Sequence, residues 1–217
     1  WEIWDACKRR HIGHLMLNTN GIRIAEDRSF AERLATYAPR FEVYLQFDSF
    51  RPEALQTLRG ADLSRIRREA IETLNDLGLS TSLVVTLQKG VNDDEIGAIL
   101  DYAVQQPCVR GVTFQPTQVA GRNETFDPAT DRITLTEVRQ SILDQTDLFT
   151  PDDLVPVPCN PDALVMGYAL KLGGEVHPLT RYLDPAQLLD GSRNTITFET
   201  DPETVASAVR TFSTNHS

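Results

Sequence analysis

Asn18 and Asn20, Gln46 and Asp48, Thr86 and Gln88, and then Gln115 and Gln118 stand where four apolar runs of the chain give out. Carboxamides, a hydroxyl and one carboxylate can donate and accept hydrogen bonds, which suits a ribose, an amino acid or an adenine edge. They offer no obvious nucleophile or general base. No Ser-His-Asp spacing stands out, and no histidine pair has the spacing of a metal site. His11 and His14 lie on the lead-in to the first run, where a structural role is expected. Lys89, the only lysine at a run's end, precedes Gly90 and reads as part of a turn. These residues describe a binding surface.

The elements that must position them are visible in the pattern. HLMLN (14–18), VYLQF (43–47), SLVVTL (82–87) and GVTFQ (111–115) read as strands. SLVVTL is almost continuously apolar, as a strand covered on both faces should be. Helical spacing marks 28–36, 63–77 and 93–105, with Gly78 as a stop for the second. Asn92 and Glu95 have capping-box spacing ahead of the third. Strand–helix alternation predicts an α/β fold with right-handed crossovers and a parallel sheet. All four polar ends then share the carboxyl rim, where such sheets bind ligands. Alternation places Gln46 and Asp48 opposite Val43, Leu45 and Phe47.

Beyond residue 116 the texture changes. PTQVAGRNETFDPATDR reads as a long loop, and a helix is expected over 134–145, starting near Thr134 or Thr136. PDDLVPVPCNPD is too proline-rich for a helix or a central strand, and a last helix is expected after Asp201 and Pro202. This predicts a sheet domain over 1–145 and an irregular extension over 146–217.

The 217 residues are 41% hydrophobic, enough for one sizeable core. A net charge of −10 argues against a non-specific nucleic-acid binder. No run has the length of a membrane span, and no leader is visible. Cys7, Cys108 and Cys159 are odd in number and widely spaced, so a reducing cytoplasm is expected. Cys7 and Cys108 read as packing residues in helix-like segments. The opening WEIWDACKRRHIG reads as a helix already under way, in a piece of a longer protein.

The motifs LNTNGIRIA, VYLQFDSF, LRGADL, LVVTLQKGVNDDEIG, VRGVTFQPTQVAGR and VPCNPD occur in that order. Together they resemble radical S-adenosylmethionine (SAM) enzymes, nearest the branch holding 7,8-dihydro-6-hydroxymethylpterin methyltransferases and tetraether lipid synthases. The resemblance covers most of residues 11–182. It implies the last four strands, three to six, of a partial (β/α)6 TIM-like barrel plus an irregular C-terminal extension. The family's C-x-x-x-C-x-x-C loop and Gly-Gly-Glu-Pro type motif are not in these residues, so the main ligands of the 4Fe–4S cluster are expected outside this chain.

What the resemblance implies for the residues is specific. Asn18 and Asn20 fall where the family contacts SAM, and Gln46 near its ribose or methionine, with Asp48 two residues on. Arg59 corresponds to an arginine against the SAM carboxylate, Thr86 to a ribose contact, and the Phe114 region to the adenine. Gln118 and Arg122 become substrate-side contacts, and Cys159 a ligand of an auxiliary cluster. The full protein is then expected to cleave SAM reductively for methylation or carbon–carbon bond formation on a pterin or lipid-like substrate. An electron donor such as ferredoxin or flavodoxin is implied, and this chain by itself should be inactive. A small α/β module binding a nucleotide-like ligand without iron is the alternative, and a barrel lyase using Lys89 a third reading.

Overall fold

The computed structural model describes residues 1–10, 12–118, 126–157, 160–172 and 175–186, with Ala206 and Arg210. Arg122, Cys159 and nearly all of the helix expected after Asp201 lie outside the described residues. The chain divides into two compact units, Trp1–Ile133 and Thr134–Ser217. The division precedes the helix of residues 135–145, which the sequence reading had joined to the sheet domain.

The first unit runs α1 (Glu2–Lys8), β1 (Leu15–Thr19), α2 (Ile22–Glu26), α3 (Arg28–Ala35), β2 (Phe41–Gln46), α4 (Pro52–Arg59), α5 (Ser64–Asp76), β3 (Thr81–Leu87), α6 (Ile96–Gln105) and β4 (Val109–Pro116). The strands form one parallel sheet in the order β1-β2-β3-β4, as the strand–helix alternation requires. Successive side chains of a strand point to opposite faces. Phe41, Val43 and Leu45 of β2 and Leu83, Val85 and Leu87 of β3 are buried on one face. The other face carries Glu42, Tyr44, Gln46, Ser82 and Thr86, which are only partly covered.

The helical stripe that covers the buried face is Ile66, Arg67, Ala70, Ile71 and Leu74 of α5. Its closeness to the sheet is set at one glycine. Gly21, at φ 82°, opens α2 directly after the turn from β1. A Cβ there would lie 2.7 Å from Leu45 Cδ1 and 3.3 Å from Ala70 Cβ, so this corner excludes any side chain.

Two elements differ from the sequence reading. Periodicity assigned nothing to α4, although Pro52 at its first turn and Gly60 at φ 76° after its end are ordinary helix boundaries. The helix expected at 93 begins at Ile96, because Asn92 and Glu95 are occupied elsewhere. Cys108 is buried in the turn before β4 rather than on a helix.

At the amino-terminal corner α1 buries none of its residues fully. It is held through rings: Trp1 meets Trp4 at 5.1 Å, Phe30 at 5.3 Å and Tyr37 at 6.1 Å between centroids, and Arg33 stacks on Trp1 at 4.0 Å.

The second unit holds α7 (Leu135–Gln145) and two antiparallel pairs, β5 (Leu154–Pro156) with β6 (Val165–Gly167) and β7 (Ala169–Leu172) with β8 (Glu175–Pro178). Asp153 is buried and accepts from Thr150 N and Oγ1 at 2.6 and 2.8 Å, and from Thr180 Oγ1. α7 begins with a full capping box: Thr134 Oγ1 accepts from Glu137 N at 3.2 Å and Glu137 Oε2 accepts from Thr134 N at 2.7 Å. Thr134→Ala is expected to cost this unit about 1 kcal/mol, the usual value of a lost N-cap, read as a lower urea midpoint by far-UV circular dichroism. Among the described residues no helix is long and apolar enough to cross a membrane.

Candidate functional site

The polar ends of β2 and β3 converge on one carboxylate. Past the end of β2 the chain turns through Asp48 at φ 65°, a conformation aspartate tolerates better than most residues. The turn breaks the strand's alternation and points Asp48 inward, where it is fully buried. Gln46, still in the strand, keeps to the open face. The expectation that both share that face therefore holds for Gln46 and not for Asp48.

Both Asp48 oxygens are engaged. Oδ1 accepts from Arg59 Nη2 at 2.7 Å and from the Thr86 amide at 3.1 Å. Oδ2 accepts from Arg59 Nε and Arg67 Nη2, each at 2.8 Å. Arg59 arrives from the last turn of α4, forks across the carboxylate and donates again to Thr86 Oγ1 at 2.9 Å. Arg67 comes from the buried stripe of α5 and also donates from Nε to the Phe47 carbonyl. Burial works to raise the Asp48 pKa, but the Arg59 fork, the Thr86 amide and Arg67 outweigh it and hold the carboxyl below its ordinary range. The bond to Asp48 raises the Arg59 pKa against the opposing effect of burial. For Arg67 burial dominates and lowers the pKa.

Two guanidiniums share one carboxylate, so these three side chains carry a net charge of +1. Their exposures differ: the Arg67 side chain is 2% exposed and that of Arg59 26%. Arg67 Nη1 is buried and has no hydrogen-bond partner among the described residues. Arg59 Nη1 is bonded to no described residue, on a side chain that is partly exposed.

The surrounding loops are tied down. Asn92 Nδ2 donates to the carbonyls of Asp48 and Thr86, both at 2.8 Å, while its Oδ1 accepts from Gln88 N at 2.9 Å. Asn92 thus joins two strand ends instead of capping a helix. Glu95 accepts from Ser49 Oγ and from the Phe50 amide at 3.1 Å, and Arg51 pairs with Asp94 at 2.6 Å.

The remaining sequence-derived positions are spread around this cluster. Gln46 Nε2 donates to Asn18 Oδ1 at a long 3.4 Å, which joins these two on the open face. Asn20 is turned to its own chain and accepts from Ile22 N at 3.2 Å. Thr86 registers with Gln115, and Phe114 with Val85, so Phe114 takes the helix-covered side of β4. Gln118 is exposed just past β4. The structure thus brings Asp48, Arg59 and Thr86 into direct contact and pairs Gln46 with Asn18.

Arg67 and Asn92 are the residues the sequence reading passed over. Arg67 had a signal: it lies four residues after Leu63 and three and four before Ala70 and Ile71, inside the apolar stripe. Asn92 had none, because its spacing to Glu95 satisfied a capping box.

Residues 1–103 match the Radical SAM superfamily. The chain is also 36% identical over 148 residues to the 7,8-dihydro-6-hydroxymethylpterin dimethyltransferase of Methanocaldococcus jannaschii, an alignment covering 67% of this chain and 29% of that protein. By these two matches the chain is similar to members of the radical SAM superfamily. It is a homologue of a pterin methyltransferase and spans less than a third of that relative's length.

The residues present fit SAM in part. Arg59 offers an unengaged guanidinium edge to a carboxylate, Thr86 accepts from Arg59 and keeps its hydroxyl proton to donate, and the Gln46–Asn18 pair is held by one long bond. They do not fit a cluster: among the described residues no three His, Cys, Asp or Glu side chains group as metal ligands.

Proposed function

We propose that this chain is the C-terminal four strands of a partial (β/α)6 barrel and supplies the SAM cradle of a methyltransferase-like radical SAM enzyme. The observation that carries the reading is Arg59, held in a fork by a buried carboxylate at the carboxyl edge of a parallel sheet, partly exposed and with Nη1 bonded to no described residue. In this reading Arg59 takes the SAM carboxylate, Gln46 and Asn18 its amino-acid and ribose groups, and Thr86 a ribose hydroxyl. Asp48 holds Arg59 and does not itself reach the ligand. Asn20 contributes the shape of its turn, and the backbone around Phe114 flanks the adenine.

With a reduced 4Fe–4S cluster supplied by residues outside this chain, SAM would provide radical chemistry at carbon; the part of this chain's own residues would be to hold its amino-acid and ribose groups. The main cluster ligands are assigned outside this chain, which alone is inactive. The substrate is a pterin, as the name of the homologue suggests, or else a lipid-like molecule. In this reading Gln118 and Arg122 are assigned as substrate-side contacts, and Cys159 as a ligand of an auxiliary cluster. A ferredoxin- or flavodoxin-type donor supplies the electron, and the location is cytoplasmic.

The test uses the whole protein after anaerobic reconstitution. It should release 5′-deoxyadenosine from SAM under reduction. Arg59→Ala should weaken SAM binding about tenfold or more, the value of a lost charge-assisted hydrogen bond, with iron per chain unchanged. Asp48 and Arg67 remain as a one-to-one pair in this variant, so its folding should be largely kept. SAM affinity unchanged by Arg59→Ala would defeat the assignment. Retained nucleoside binding in a protein that never takes up iron would favour an iron-free nucleotide-binding module.

A further inference from the structure

A single arginine would neutralise Asp48, and the pair would then be closed upon itself. The structure instead places two guanidiniums on that carboxylate. The second, Arg67, is enclosed, and its Nη1 has no partner among the described residues. Leaving a buried guanidinium nitrogen without an acceptor is costly. An aliphatic residue would fit the stripe of Ile66, Ala70, Ile71 and Leu74 without that cost.

Resting on the SAM reading of Arg59, we infer that Arg67 is a positioning residue that shares the charge of Asp48 and so keeps Arg59 available to a ligand carboxylate. Three contacts carry this. Arg67 bonds to Oδ2, the same oxygen that takes Arg59 Nε. It also bonds to the Phe47 carbonyl, so it holds the backbone on the amino side of Asp48 while Asn92 holds the Asp48 carbonyl. The left-handed turn at Asp48 is thereby clamped from both sides, and the fork on Arg59 has a fixed origin. With Arg67 in place the cluster is one positive charge in excess, and an entering carboxylate balances it. Without it, Arg59 is already matched by Asp48, and an entering carboxylate meets a neutral pair. Arg67 touches no ligand in this scheme and acts through Asp48.

The experiment measures equilibrium binding of SAM and of decarboxylated SAM to the whole, iron-loaded protein. It compares the wild type with Arg67→Met, Arg67→Lys, Arg59→Ala and the double variant Arg59→Ala with Arg67→Met. Thermal midpoints and iron content are recorded alongside. The expected result is that Arg67→Met weakens SAM about tenfold, of the order of one charge-assisted bond, and leaves decarboxylated SAM within twofold. Arg67→Lys restores most of the SAM affinity. The double variant binds SAM no more weakly than Arg59→Ala alone, because both changes remove one interaction.

Equal weakening of both ligands by Arg67→Met, or additive losses in the double variant, would overturn the inference and leave Arg67 a folding residue while Arg59 keeps its role. If Arg59→Ala leaves SAM affinity intact, the SAM reading itself fails and this inference with it. Should Arg67→Met not fold, Arg67→Lys decides: an amine retains the charge but cannot span both Phe47 O and Asp48, so SAM affinity near wild type upholds charge sharing, and full loss in a folded protein rejects it.

Discussion

Asp48→Ala is expected to destabilise the Trp1–Ile133 unit by about 3–5 kcal/mol, the cost of stripping a partner from buried charges. The change leaves two guanidiniums facing each other, one of them 2% exposed, and removes the acceptor of the Thr86 amide. It should therefore act on folding before it acts on any ligand, unlike Arg59→Ala. Asp48→Asn, which keeps the shape, isolates the charge and makes the pH dependence testable. The folded pKa of Asp48 lies below the ordinary 3.8. A group with a depressed folded pKa contributes stability that is fully present above its unfolded pKa and is lost as pH falls through the folded value. The stability difference between wild type and Asp48→Asn should thus be flat from pH 7 to about 5, going by that unfolded value, and shrink on further acidification. A difference that grows on acidification would mean that Asp48 is not held as a carboxylate. Urea denaturation at a series of pH values decides.

Leu45→Ala is expected to cost about 2–5 kcal/mol, as for other fully buried leucines, since Leu45 has no exposure in the middle of the sheet. Gly21→Ala should also destabilise, because its Cβ would enter at 2.7 Å from Leu45 Cδ1 and its φ of 82° disfavours a side chain. The combined variant should lose less than the sum of the two. The new methyl group would occupy space that the leucine has vacated, and only the backbone strain would remain. Strict additivity in denaturation midpoints would place the two groups out of contact.

The strands were legible because period-two alternation and near-continuous apolar runs are local properties. VYLQF and SLVVTL carry their own evidence, and parallel pairing follows from the helices between them. The start of α7 was legible only as Thr134 or Thr136; the capping box with Glu137 selects Thr134. Asp48 was legible as a polar strand end but not in its direction. One residue in a left-handed conformation reverses the facing that alternation assigns, and aspartate carries no obligatory signal for it. Arg59 was found through resemblance, and its partner could not be, because an ion pair spanning eleven residues has no period. α4 escaped because eight residues give only two turns, and its signal lay in its ends, Pro52 and Gly60, more than in its apolar positions.

The ring cluster at the amino-terminal corner gives the molecule a built-in spectroscopic reporter. Trp1 and Trp4 are the chain's two tryptophans, and residues 134–217 contain none. Emission excited at the indole band therefore comes from one corner of the first unit, with Tyr37 close enough to pass energy to Trp1. Far-UV ellipticity sums over helices and strands of both units. Because α1 buries none of its residues fully, an emission shift that precedes the loss of ellipticity would register the release of that helix alone. Two coincident transitions would instead mean that the corner, the sheet and the second unit melt as one cooperative body.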